Sequence, residues 1–489
     1  MNLHQSVCQL LHDIGPGTVS QSTYDTAWIA RLIDLGEPYG EAALEWLREH
    51  QLADGSWGAF LPHYHHDRLI CTLAAMTALA KYGQPQDQTR WQRAQLALET
   101  ASKGLSADLS GATVGFEMIV PTLISEANSL GVMKVSVNGV LTELSRYRTN
   151  KLARLPGGIV NRFVSAAFSA EMAGPDGLHL LDVENLQEPN GSIGHSPSAT
   201  SFYALYVRHE DPGALAYLRN TVKQGGAPPM SPFDVFERAW TLWNLALAEP
   251  LDDDLLALCQ PHLDFLGAAW RPGQGVGFSA GYSPNDGDDT GLAFEVLSHF
   301  GRKVDLEAVL SYEGEDCFRC YPLEANPSIS ANIHALGALR QAGLGIDDAP
   351  VQKILAFLKR AQTIRLFWLD KWHTSPYYAT SHAIINAAGL ADRMLDDACY
   401  WILQTQNSDG SWGFYMPTAE ETAYCLQALV AWKRQGHDMP QSVLTRGAAW
   451  LADHAEPPYP PLWIVKCLYS PVLLVRSAIV SALLLVGQE

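Results

Sequence analysis

The acidic turn Asp286-Gly-Asp-Asp-Thr290 carries three carboxylates within four residues. Crowded together away from water, such groups repel one another and lose hydration, so at least one keeps its proton at neutral pH. A neutral carboxylic acid in an apolar pocket can protonate a carbon–carbon double bond, provided the cation so formed is stabilised. Aromatic faces do that, and the chain holds 14 Trp, 18 Tyr and 15 Phe. By themselves the same residues also suit a solvated turn or a helix N-terminus, where aspartate is common. The ligand spacing of an EF-hand is missing.

The elements that must position this turn are helical. Ala423, Leu426, Leu429 and Val430 recur at helical spacing, as do Ile333, Leu336 and Leu339. Strand-like alternation is scarce, and Gly/Pro/Asn/Asp loops separate the helices. The pattern Q-x-x-D-G-S-W-G occurs at Gln51–Gly58 and again at Gln406–Gly413, with a weaker copy at Gln187–Ile193. Each follows a helical stretch. Asp-Gly or Asn-Gly makes the turn and the Trp can pack under the Gln of its own unit, so these are braces. Their uneven spacing predicts two related helical toroids, not a regular solenoid.

Composition bounds the rest. A chain of 489 residues exceeds one ordinary core, and two or three domains are expected at roughly 100–200 residues each. Hydrophobic residues make up 47% and charged residues 17%, enough to bury large cores. The net charge of −19, with no basic run, argues against nucleic acid and against docking on anionic lipid. The N-terminus lacks the features of a signal peptide. Ser477–Gly487 is apolar but too short to span a bilayer. Cys317 and Cys320 form a lone C-x-x-C, which predicts neither a zinc site nor a disulfide framework. A cytoplasmic setting fits. His63, His65 and His66 read as a surface turn, not a metal cluster.

D-x-D-D-T is the acid signature of class II terpene cyclases, and the chain resembles them over nearly its whole length. Ser22–Trp28 (S-T-Y-D-T-A-W), Leu52–Gly58, His66–Leu69, Thr113–Pro121 with its G-F-E block, Ser196–Thr200 and Gly225–Pro228 follow in the family's order. Asp370–Tyr378, Glu420–Tyr424 and Pro461–Tyr469 resemble the bacterial halimadienyl, kolavenyl and copalyl diphosphate synthases. The resemblance implies an all-α, double α-barrel (βγ) fold with the active site between the barrels. Residues 1–40 and 250–489 would form β, and 41–249 the inserted γ.

It also implies roles. Asp288 would donate the proton to geranylgeranyl diphosphate, tuned and reloaded by Asp286 and Asp289. Asn332 would hydrogen-bond the acid. Lys151, assisted by Arg154, would hold the diphosphate. Trp372, Tyr377, Trp412 and Trp463 are candidates for the cation-stabilising wall. Mg²⁺ is the expected cofactor, although the family's acidic cluster before the G-F-E block is reduced here to Asp108. Plant ent-copalyl enzymes end the reaction with a histidine and an asparagine acting through water. Phe168 and Pro229 stand in those places. Neither is a base, so hydride and methyl shifts should precede proton loss and give a rearranged halimane or clerodane skeleton; the alternative is a base supplied by another residue nearby, with unrearranged copalyl diphosphate as the product. A downstream class I synthase or phosphatase would use the product.

Other readings compete. A squalene-type cyclase would be longer, with more Q-W repeats. A class I synthase needs D-D-x-x-D, which neither Asp252-Asp-Asp254 nor Asp396-Asp397 completes. An α/α-toroid glycosidase would pair Asp288 with Glu420 or Glu421. A non-catalytic helical scaffold would not need the acid turn.

Overall fold

The computed structural model describes the chain except Met1, residues 134–137, Glu249 and Ala325, and omits the side chains of 138–142 as well. In chain order the helices are α1 (Leu3–Asp13), α2 (Thr23–Ala30), α3 (Tyr39–Glu49), α4 (His65–Tyr82), α5 (Gln88–Gly104), α6 (Phe116–Ser129), α7 (Asn138–Leu152), α8 (Pro197–Phe202) and α9 (Pro212–Thr221). They continue with α10 (Asp234–Leu247), α11 (Asp253–Ala269), α12 (Gly287–His299), α13 (Leu306–Leu310), α14 (Ile329–Gln341), α15 (Ala349–Ala361) and α16 (Pro376–Ala387). The last are α17 (Asp392–Gln404), α18 (Ala419–Arg434), α19 (Gln441–Asp453) and α20 (Val472–Gln488). An antiparallel hairpin, β1 (Trp463–Ile464) and β2 (Leu468–Tyr469), precedes α20.

Two closed rings result. In the larger, α10, α12, α14, α16, α18 and α20 each pack on the next, and α20 returns to α10. Outer helices lean on this ring, α1 among them, against α11 and α20. In the smaller, α2, α4, α6, the 3₁₀ segment Ser165–Ala173 and α8 close on α2. The two layers differ in pattern. Outer α15 buries Val351, Ile354, Leu355 and Leu358, one stripe at helical spacing. Inner α18 is buried almost throughout, polar residues included. The apolar stripe read at Ala423–Val430 is therefore only part of a helix buried on every side. Ser477–Gly487 likewise lies within inner α20, which accounts for its apolarity.

The three Q-x-x-[DN]-G-S units are braces, built alike. Gln51, Gln187 and Gln406 each donate from Nε2 to the carbonyl of the turn glycine, Gly55, Gly191 and Gly410. The indoles of Trp57 and Trp412 donate to Leu47 and Ile402 of the preceding helices. Trp412 is thus a brace and not part of a cation wall. Trp368 makes the same bond to Leu358 without any Asp-Gly-Ser signature, a copy the sequence pattern hides.

The cores divide the chain at points other than 40/41 and 249/250. Val7, Leu11 and Ile14 pack with Phe168 and residues from Met230 onward, whereas the other core is built from residues between Tyr24 and Ala227 together with Cys467. The chain crosses at Ser22 and returns at Ala227, and those two residues pair backbone to backbone. So α2 belongs to the inserted ring and α10 to the larger one, because each supplies an inner helix that closure requires.

The hairpin joins the rings. Val465 O accepts from Val114 N, and Leu468 N donates to Asp67 on α4. At its tip the fully buried Lys466 ammonium donates to Glu171 Oε1 (2.6 Å), Ser196 Oγ (2.7 Å) and Ser198 Oγ (2.8 Å). Among the described residues no helix is long and apolar enough to cross a membrane.

Candidate active site

The acid turn is the N-terminus of α12. Asp286 is the N-cap, its Oδ1 accepting from the amides of Asp288 (3.1 Å) and Asp289 (2.8 Å). Thr290 locks the helix to the preceding loop by exchanging hydrogen bonds with Val276 N and O. Gly287 is dictated by a close approach: a Cβ there would lie 2.4 Å from Arg319 O and 3.0 Å from the Tyr312 ring. Capping thus orients Asp286 toward its own helix and leaves Asp288 to point onward.

Burial raises the pKa of Asp286 to about 7, against the pull of the backbone amides it accepts from. Burial, then the charges of Asp286 and Asp288, raises that of Asp289 well above the ordinary carboxylate range. Apart from the hydrogen bond between their own carboxyl groups, Asp286 Oδ2 and Asp289 Oδ1 meet no partner among the described residues. Of the three carboxylates, Asp288 keeps the most open side chain, 14% accessible. Its Oδ1 lies 2.6 Å from His334 Nδ1, and its Oδ2 lies 3.5 Å from Ser330 Oγ. His334 Nε2 in turn lies 3.2 Å from His382 Nδ1.

Around these imidazoles stand aromatic rings. Trp240 meets His334 edge-on at 4.9 Å, and His382 stacks on Trp243 at 4.8 Å. Tyr378 lies 4.8 Å from His382 and 4.9 Å from Trp463. Trp463 leads through Phe236 to Phe233 and Phe278. Such a wall can hold a carbocation by its π faces while excluding water.

Several expected residues sit elsewhere. Asn332 does not touch Asp288: it accepts from Phe318 N and donates to Phe318 O and Ser328 O, pinning the 318 loop to α14. The residue on the acid is His334, two positions on, which with Ser330 shares an i, i+4 face of α14. Tyr377 stacks on Trp401 of α17, away from the acid, and its neighbour Tyr378 takes the inward place. Trp372 is partly exposed, under the Lys371 cation and bonded to Ser328 Oγ. Trp463 is in the wall, its indole held by Glu420.

Lys151 forms an ion pair with Glu117 of the G-F-E block and is 44% exposed, while Arg154 is exposed just beyond α7. Phe168 is buried at the joint, with the Lys466 ammonium 4.6 Å from its ring centre, and Pro229 is buried nearby in sequence to the core crossing. His65 and His66 begin α4 and do not form a surface turn. Asp108 is occupied at that helix start, Oδ1 accepting from His65 N and Oδ2 from His66 N and Nδ1. A carboxylate so used does not suit Mg²⁺, which demands free oxygen ligands in near-octahedral array. The metal-ligating cluster found among the described residues, Asp67, Cys71 and Cys467, lies at the joint, and its Asp67 is bonded to Leu468 N and Ala59 N. Glu421 is tied into local hydrogen bonds by both oxygens, and Glu420 holds the Trp463 indole and the Tyr424 hydroxyl through Oε1.

A helical double barrel with a buried acid turn facing indole and phenol rings is the arrangement of a protonation-driven terpene cyclase. The pattern of the squalene-hopene cyclase C-terminal domain family matches residues 323–458. The chain is 44% identical over 483 residues to a type B diterpene cyclase of Mycobacterium tuberculosis, covering 96% of each. It is 31% identical to a (+)-kolavenyl diphosphate synthase of Herpetosiphon aurantiacus, covering 98% of this chain and 96% of that one. The solved ent-copalyl diphosphate synthase of Streptomyces platensis superposes with a TM-score of 0.81 at 29% identity, covering 99% of both. The chain belongs to the class II diterpene cyclases.

Proposed function

We propose that the enzyme cyclises geranylgeranyl diphosphate to a rearranged bicyclic diterpenyl diphosphate of halimane or clerodane type, with the diphosphate retained. The acid step carries one proton. Asp288 delivers it to the terminal alkene, whose π pair forms the new C–H bond, and the carboxylate stays behind, hydrogen-bonded to His334. The observation that carries this reading is the accessible Asp288 carboxyl held by His334 against the Trp240–Tyr378–Trp463 wall. Each later cation sits beside the π faces of Trp240, Tyr378 and Trp463, which stabilise it while the rings close.

The rearranged skeleton follows from Phe168. Its ring is a non-basic surface, and the adjacent Lys466 ammonium, already donating three hydrogen bonds, cannot accept a proton. Glu171, one turn further along, has its Oε1 taken by Lys466, the Tyr24 hydroxyl and Ser198, while its Oε2 has no hydrogen-bond partner among the described residues. Phe168 itself supplies no base, so hydride and methyl shifts outrun deprotonation there.

Lys151, with Arg154 beside it in sequence, is the proposed diphosphate clamp, exchanging Glu117 for the incoming anion. Mg²⁺ would arrive on the diphosphate itself, since Asp108 is taken. A phosphatase or class I synthase would then act on the product. The test is incubation with geranylgeranyl diphosphate, phosphatase treatment and NMR of the alcohol. A halimane or clerodane alcohol supports the reading. Copalol alone would overturn the product, and pyrophosphate released in step with substrate loss would overturn the reaction type.

A further inference from the structure

Asp288, His334 and His382 form a chain of two contacts, 2.6 Å and 3.2 Å, that ends at a bare nitrogen. His382 Nε2 is buried and meets no hydrogen-bond partner among the described residues. A buried N–H without an acceptor costs more than a buried lone pair without a donor, because unpaired N–H groups are the rarer and dearer orphans. The single proton of a neutral His382 therefore belongs on Nδ1, where His334 Nε2 can accept it. Burial and the neighbouring imidazoles of His334 and His373 push the His382 pKa well down, which keeps that ring neutral.

Acceptance at Nε2 decides the next ring. His334 must then carry its own proton on Nδ1, and that N–H points at Asp288 Oδ1. An oxygen that accepts from an N–H does not also hold the acidic proton in that contact. The proton is left on Oδ2, the oxygen toward Ser330. The Ser330 hydroxyl lies closer to Ser328 Oγ (3.0 Å) and to Asp370 Oδ2 (3.2 Å) than to Asp288 Oδ2 (3.5 Å), so its proton has two nearer acceptors. Asp288 Oδ2 then meets no competing donor.

We propose that His382 is a positioning residue for the cyclisation: its Nδ1–H fixes the tautomer of His334, which bonds Oδ1 of Asp288 and leaves the acid proton on Oδ2 for the alkene. The inference rests on Asp288 being the acid. Were His334 to carry its proton on Nε2, the bare Nδ1 would draw the acid proton onto Oδ1 and hold it there. The N–H bond to Oδ1 also stabilises the carboxylate left after transfer, which strengthens the acid.

Other ionisable groups face the pair. Asp289 and Glu295 come from α12 and Asp286 from its N-cap, His373 from the loop before α16, Tyr378 from α16 and Tyr424 from α18. Helix α10 contributes only the rings of Trp240 and Trp243. None of these groups touches His382 Nδ1, so its removal should read out through His334 alone.

The test compares His382→Phe and His382→Asn with the wild type on geranylgeranyl diphosphate. Phe keeps a ring against Trp243 and has no donor. Asn places an amide N–H near the position of Nδ1. Expected for His382→Phe is a kcat lowered about ten-fold or more at unchanged KM, the scale of one lost hydrogen bond to a charged group. The alkaline limb of its kcat–pH profile should move to higher pH, because a carboxylate without that bond is the weaker acid's conjugate. His382→Asn should restore both. In ¹⁵N-imidazole spectra of the wild type, the His334 proton should sit on Nδ1, assigned by difference against His334→Asn. A folded His382→Phe with wild-type kcat and pH profile overturns the proposal, as does a His334 proton on Nε2. The spectrum decides even if the Phe variant fails to fold. Activity surviving in Asp288→Asn would instead overturn the acid assignment on which this rests.

Discussion

Two inner helices of the larger ring begin on one plan. Thr418-Ala-Glu-Glu-Thr422 opens α18 and Asp286-Gly-Asp-Asp-Thr290 opens α12. In each, the first residue is a side-chain N-cap, and the Thr one turn later exchanges hydrogen bonds with the preceding loop, at Trp412 or at Val276. Both put two carboxylates on the first turn. Their surroundings differ. Glu421 accepts from Ser375 Oγ, Phe414 N and Thr418 Oγ1, and Glu420 from Trp463 Nε1, Tyr424 OH and His373. The three bonds to Glu420 all reach its Oε1, and its Oε2 has no partner among the described residues. At α12 the donors are fewer: Asp288 has His334 and a distant Ser330, and Asp289 has the carboxyl of Asp286. Burial raises the pKa of Glu421 despite its donors, and it raises that of Asp289 as well. The repeat supplies the position, and the surroundings of each turn decide what its carboxylates touch.

The largest expected effect breaks that comparison at its catalytic end. Asp288→Asn should lower kcat by about 10³-fold or more, the scale of a lost general acid, with unchanged circular dichroism and Tm. Glu421→Gln should do the reverse, costing about 1–3 kcal/mol of stability with kcat per folded molecule within a few-fold. Denaturant titration beside initial rates would show it, and a catalytic collapse in Glu421→Gln would erase the distinction between the two turns.

Next comes the joint between the rings. Lys466→Met leaves Glu171 buried without its cation and should destabilise by about 3–5 kcal/mol in urea titration. A Met variant as stable as wild type would mean that the ion pair contributes little.

Asn332→Ala sharpens the contrast between a brace and a tuner of the acid. Its three hydrogen bonds go to the 318 loop and Ser328, so Tm should drop, by about 1–3 kcal/mol equivalent, while the kcat–pH profile stays in place. A shifted profile would return Asn332 to the acid.

The smallest effect is the pH dependence of stability. Asp286 and Asp289 have folded pKa values raised above their unfolded ones, so the folded state binds the extra protons. Their contribution is complete below the unfolded carboxylate value and is lost as pH rises through the folded value, about 7 for Asp286. Stability should thus decline as pH rises from 5 to 8. Asp289→Asn should flatten the slope of Tm against pH, and an unchanged slope would place the titration elsewhere.

Much of this was legible in the chain. D-G-D-D-T marks a helix start with crowded acids, and Gln51, Gln187 and Gln406 mark braces, because both depend on neighbours a few residues apart. Asn332 and Tyr377 show where such reading fails. Each lies within two residues of the side chain that reaches the site, His334 or Tyr378. On a helix each residue step turns the side chain about 100°, so a small slip points to another face. The division of the chain was misjudged for a related reason: α2 and α10 carry no local mark of which ring they close.

Sequence alone determined that this chain is helical, braced by a recurring turn, and armed with a cluster of aspartates, since these are properties of short segments. Tertiary structure alone decided which aspartate stays accessible, that His334 and His382 line up behind it from helices 46 and 94 residues away, and that Lys466 and Phe168 meet at the joint. Acidity depends on the donors and the dielectric within a few ångströms of a carboxylate. Those are set by how the ring closes, and no stretch of the sequence carries them by itself.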